Sequence, residues 1–178
     1  MKTKLLVLIV LIIALAAIAA PVMAYGTGGS AGGTQDVNVS ISMNNASVNF
    51  GSFVVGTNSI SPNHYSIGGF PEIVVYSNEN SWQINVIGTK DVMSSTENYH
   101  LANPMQIATV SATGDSGGLT LHPTLAGLTT SSPGDNFIQG SAMDRANVSL
   151  SLSQVVIPKD KASNSYSMGI TVTYNTVT

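Results

Sequence analysis

The chain has 178 residues, with 6 basic against 9 acidic and no cysteine. That length makes about one ordinary domain; the missing cysteine removes thiol nucleophiles and thiolate metal sites, and the acidic balance gives nucleic acid no basic footprint. With 8% of residues charged, Ser, Thr, Asn and Gly must solvate the surface, and such a surface repels copies of itself only weakly.

Met1-Lys2-Thr3-Lys4 followed by an apolar run from Leu5 to Ala20 predicts an export signal over residues 1–24. Pro21 and the small-residue site Val22-Met23-Ala24 predict cleavage after Ala24. The competing expectation is a retained anchor, because Leu5 to Ala24 spans 20 residues, enough to cross a bilayer. Cleavage leaves 154 residues, 4 of them basic and 9 acidic. The expected address is extracellular or cell-surface, with no membrane contact once the signal is removed.

Residues 25–35 are too rich in glycine to form an element and read as a flexible tail. From residue 36 to 178 the sequence predicts one β domain. Asp36 to Met43 alternates, with Val37, Val39, Ile41 and Met43 on one face. Val48 to Val55 reads as a strand broken or bulged near Gly51, and Gly56 to Pro71 as a loop. Ile73 to Tyr76 and Trp82 to Gly88 read as a hairpin around the polar turn Ser77 to Ser81, with Trp82, Ile84 and Val86 facing a core anchored by the single tryptophan. Lys90 to Asn103 is polar and holds at most a helical turn. A weaker strand covers Pro104 to Val110, a turn Ser111 to Gly118, a short strand Leu119 to Leu121, and mostly loop Pro123 to Gly140. Asn147 to Val156 alternates Val148, Leu150 and Leu152 against serines. Tyr166 to Val177 closes the chain with Met168, Ile170, Val172 and Tyr174 on one face. Seven or eight short strands with glycine- and proline-rich turns predict an all-β, antiparallel β-sandwich, Ig-like or jelly-roll-like.

Gly114-Asp115-Ser116-Gly117-Gly118 is the sharpest chemical motif. It resembles the nucleophile loop of chymotrypsin-like serine proteases, and His64 and Asp91 precede Ser116 in that family's order. The intervals, 27 residues from His64 to Asp91 and 25 from Asp91 to Ser116, are too short for two barrels, so the expectation is a hairpin turn. A secreted hydrolase using Ser116 is the lesser alternative. His64, His100 and His122 lack metal-ligand spacing, and Asp115, Asp135 and Asp144 lack the spacing of a calcium loop. No catalytic residue, metal or cofactor is expected. Asn38, Asn45 and Asn147 head Asn-x-Ser sequons compatible with glycan attachment in an exported protein.

Val48-Asn-Phe-Gly51, Ser77-Asn-Glu-Asn-Ser-Trp-Gln-Ile-Asn-Val86 and Tyr166-Ser-Met-Gly-Ile-Thr-Val-Thr-Tyr174 occur in that order. This layout resembles the WxL-like and the camelysin- and TasA-like surface β-sandwich proteins of prokaryotes, including archaeal bundling-pilus subunits. Trp82-Gln-Ile84 departs from Trp-x-Leu and occurs once, so the resemblance does not extend to wall binding of the WxL kind. The resemblance implies a non-enzymatic surface or fibre protein that associates with itself or with other surface proteins. The residues lead the same way separately: a glycine-rich tail precedes an alternating segment, so Val37, Val39, Ile41 and Met43 could complete a neighbour's sheet. The alternative is an extracellular carbohydrate- or surface-binding module, which would show a row of exposed aromatics. Tyr65, Tyr76 and Tyr99 form no such row in the sequence.

Overall fold

The computed structural model describes residues 11–12, 39–44, 47–64, 69–115 and 118–177. The expected leader, apart from Leu11–Ile12, and the glycine-rich tail lie outside them. The described residues form twelve strands and no helix: β1 (Leu11–Ile12), β2 (Val39–Asn44), β3 (Ser47–Val48), β4 (Gly56–Ile60), β5 (Glu72–Ser77), β6 (Trp82–Gly88), β7 (Met105–Gly114), β8 (Thr120–Leu121), β9 (Ala126–Leu128), β10 (Pro133–Gly140), β11 (Met143–Val156) and β12 (Ile170–Thr176). All pairings are antiparallel. One sheet runs β2-β5-β11-β7-β9, with β4 beside the far half of β11; the other runs β12-β6-β10-β8; β1 and β3 form a separate short ladder.

The two large sheets pack as a sandwich, and the sequence pattern explains their shared core. On β5, Ile73 and Val75 are fully buried while Val74 and Tyr76 are not; on β6, Trp82, Ile84 and Val86 are buried while Gln83, Asn85 and Ile87 are half-buried. Val148, Leu150 and Leu152 of β11 and Ile170 and Val172 of β12 join the same core. From β5 onward, successive strands alternate between the two sheets. Their pairings nest: β5 with β11, β6 with β10, β7 with β9.

This nesting corrects the expected hairpin. β5 and β6 do not pair; β5 lies between β2 and β11, and β6 between β12 and β10. Period two fixes which face of a strand is buried, not which strand it pairs with, and the 78–81 turn carries the chain from one sheet to the other. The expected strand at 50–55 is also absent. Gly51 takes φ +74° and its N–H donates to the Asn49 side chain at 2.7 Å, which turns the chain out of β3. Three strands occupy expected loops, β4, β9 and β10. In β10 the register shifts between Gly134 and Ile138, and the consecutive residues Phe137 and Ile138 are both fully buried. A bulge of that kind erases the alternation that marks a strand in sequence. β7 likewise runs on to Gly114 past a register shift that leaves Thr109 buried and Val110 exposed.

One lateral side of the sandwich is sealed. The segment after β8 crosses between the sheets: the Thr109 N–H donates to the His122 carbonyl at 2.8 Å, and the Gly88 N–H to the Thr129 carbonyl at 2.7 Å. The opposite side is bounded by β2 on one sheet and β12 on the other.

Candidate assembly edges

β2 is an edge strand held by β5 alone among the described residues. Six register pairs run from Val39–Ser77 to Asn44–Glu72 without a shift. Val39, Ile41 and Met43 stand opposite Ser77, Val75 and Ile73, which are fully buried, so all three point inward. Yet each stays only half-buried, and Ser40, Ser42 and Asn44 are exposed. Val39, Ile41 and Met43 thus share one face, in keeping with their alternation in the sequence; Val37 lies outside the described residues. The strand contains no charge, no proline and no bulge, the devices that usually keep an edge from pairing with another chain. A side-chain bond from Asn44 Nδ2 to Glu72 Oε2 at 3.3 Å closes its end.

β12 is the second edge. It pairs with β6 through seven consecutive register pairs, Ile170–Gly88 to Thr176–Trp82, again without a shift. It too carries no proline and no formal charge. Tyr174 reaches across the core: its hydroxyl lies 2.8 Å from Ser77 Oγ and its ring stacks on Trp82 at 5.8 Å. Burial pushes the Tyr174 hydroxyl pKa upward, against the opposing pull of the Ser77 bond. The sequence points to this strand as core but gives no sign that it is an edge, because edge position is a property of topology.

The chemical candidates are dispersed into separate structural roles. Asp91 Oδ1 accepts the Thr130 hydroxyl at 2.6 Å and the Thr130 N–H at 3.0 Å, and those bonds lower its pKa. His64 pairs by its backbone with Ser61 in an exposed turn. Ser116 lies outside the described residues. Its neighbour Asp115 accepts the Asp144 N–H at 3.0 Å and donates its own N–H to the Arg145 carbonyl at 2.7 Å, which ties the end of β7 to the start of β11. Asp135 accepts from Asn85 Nδ2 at 2.7 Å. His122 stacks on Phe137 at 5.6 Å, and His100 bridges by its backbone to Ser94. Among the described residues, no group of three His, Asp or Glu side chains is placed to hold a metal. Asn147 sits half-buried on the outer face of β11, while Asn38 and Asn45 lie outside the described residues. Tyr76 lies on the outer face of β5 and Tyr99 in the 89–104 loop beneath the Lys161 ammonium, 4.7 Å from the ring centre.

Comparison with protein-family models, with curated proteins and with solved structures found no match. The two edges are therefore read on their own geometry.

The loops at the β11 exit form a further surface. Phe53, Val55, Leu101, Val156, Ile157 and Tyr166 line an open groove of about 320 Å³. Beside it Val54 and Val55 stand exposed on a turn clamped by Asn58, whose amide accepts the Val54 N–H at 3.0 Å and donates to the Val54 carbonyl at 2.9 Å. The facing loops are pinned by Glu97, whose Oε2 accepts the Ser163 and Ser165 hydroxyls at 2.6 and 2.9 Å. Led by the Ser163 bond, these contacts pull the Glu97 pKa down to about 2.

Proposed function

We propose that this chain is an exported structural subunit that self-assembles into an extracellular fibre or matrix by passing β2 to a neighbouring copy. The observation that carries the reading is β2 itself: an uncharged, unbulged edge strand, half-buried and held by one ladder. Half-burial of Val39, Ile41 and Met43 is worth roughly 1 kcal/mol each. In trans, β2 would meet the β5 of the next copy in the register it shows here, so that stabilisation is kept, and only hinge strain and association entropy decide between the two forms. The hinge would lie in the 47–55 segment, where Gly51 takes φ +74°, and a glycine-rich tail as predicted from the sequence would let the strand move without an attached bulky element. The nested strand order supports a jelly-roll-like sandwich over an Ig-like one, with β2 and β12 added at its open side. The predicted export signal supports an extracellular address.

Negative-stain microscopy of the purified mature protein tests this. Filaments are expected, and deletion of Tyr25 to Met43 abolishes them. Because that deletion also strips a strand from the fold, a synthetic peptide of residues 37–44 added to intact protein gives a second arm: it caps β5 and shortens or prevents filaments. Filaments indifferent to both changes would show that β2 is not donated.

A further inference from the structure

The sandwich is five strands wide on one face of its core and four on the other, since β4 and β5 lie end to end beside β11. The Tyr174–Ser77 contact at 2.8 Å sets β12 opposite β5. β2 lies one strand further out, while β12 is the last strand of the opposing four-stranded sheet. This leaves a notch with two different walls. One is the edge of β12, Ile170–Thr176, which among the described residues pairs with β6 alone. The other is the underside of β2, where Val39, Ile41 and Met43 remain half-buried while their register partners on β5 are sealed.

We propose that this notch binds a single extended peptide strand of another protein, uncharged and apolar at every second residue, which pairs with β12 and lies beneath β2. Strand spacing of about 4.8 Å and sheet spacing of about 10 Å give the notch the width of one strand. β12 offers a ladder of seven residues, so a peptide of about that length uses it fully. Alternate side chains of the peptide would point inward against Val39, Ile41 and Met43, and the others outward to solvent. Neither wall carries a formal charge, so a charged inward residue would be desolvated without a counter-ion, which selects a neutral ligand.

Shape selects against the other occupant, a second intact copy. If two copies joined β12 to β12 with their sheets continuous and their wide faces on the same side, each overhanging β2 would claim the volume above the other's β12. A strand that brings no second sheet with it avoids that collision. The site therefore reads as strand addition from a detached segment. It stands apart from the β2 exchange, which uses β5.

The test is a titration of the full mature chain with a nine-residue peptide of alternating valine and serine. Controls are the same residues with the valines contiguous, and the alternating peptide N-methylated at every second nitrogen in either phase. The alternating peptide should bind and slow amide exchange in Ile170–Thr176 and Val39–Asn44 alone. One phase of methylation should weaken it roughly tenfold or more by removing the ladder bonds. Thr173→Lys, which puts a charge on an exposed edge position, should weaken peptide binding and leave peptide-free filament formation unchanged. Absence of binding, equal binding of both methylated forms, or protection elsewhere would overturn the proposal. So would loss of filaments in Thr173→Lys, because the edge would then belong to a contact between copies. Filaments that never form while the peptide behaves as expected would remove the assembly reading and leave this one standing.

Discussion

Trp82 shows how a single position sets its surroundings. Its indole N–H donates to the Ser141 carbonyl at 2.7 Å, Tyr174 stacks on one face, and Gly140 lies against the ring. A Cβ on Gly140 would run into three ring atoms, one of them Cε2 at 2.7 Å. Gly140→Ala should therefore lower stability by about 1–3 kcal/mol, the usual cost of overpacking, read as a drop in thermal midpoint. Tyr174→Phe removes the bond between the sheets at Ser77 and should cost about 1 kcal/mol, with Ser77 Oγ still accepting the Glu79 N–H at 3.1 Å. Raised pKa also gives Tyr174 a pH signature. Its share of stability is fully present below the ordinary tyrosine value of 10.0 and is lost as pH rises through the higher folded value. Tyr174→Phe should thus flatten the alkaline limb of a stability profile. The sequence already marks Trp82 as an anchor, because one large ring in an alternating segment has few other places to go. Gly140 is not legible in that way: the need for a glycine comes from a ring 58 residues earlier in the chain.

At the scale of elements, the strands with unbroken alternation were legible and the bulged ones were not. β2, β5, β6 and β12 read directly, since their inward residues recur at every second position. β10 is hidden by the adjacent buried pair Phe137 and Ile138, and β4 by its polar run Thr57-Asn58-Ser59. Pairing was harder still, as the hairpin shows. Turn length permits a hairpin at 78–81, and only the competing ladder on β11 takes β5 elsewhere. The candidate site was half legible for the same reason: β2 stands out by composition, whereas β12 becomes an edge only once the sheets are assembled. The loop clamp makes an elemental prediction. The Ser163 bond and its companions hold the Glu97 pKa at about 2, below the ordinary value of 4.5, so the clamp is intact above that ordinary value and is lost as pH falls through about 2. Amide exchange at Thr96, whose N–H donates to Ser165 Oγ at 2.9 Å, should quicken over that window. Glu97→Gln should quicken it already at neutral pH.

For the whole molecule, the low charge and the asymmetry of the sandwich act together. A sealed side and an open side give the molecule a direction, and the absence of charge within β2 and β12 leaves those strands little repulsion between copies. Raising the charge on β2 should act on association before it acts on folding. Ile41→Lys, on the half-buried face of β2, should abolish filaments while the rest of the sandwich keeps its thermal transition, measured by circular dichroism beside microscopy.

The placement of the two edges also bears on tension. β2 begins and β12 finishes at the same end of the sandwich, since Val39 stands opposite Ser77, and Thr176 opposite Trp82. A pull applied between those two points in one copy would peel its outer strands away, breaking one rung after another. In a chain of copies joined through β2 the load instead runs along the six rungs between β2 and β5, which must give way together. The same strand that is easily unzipped in the isolated molecule would then become its strongest joint, a contrast that single-molecule stretching of monomer and filament would measure.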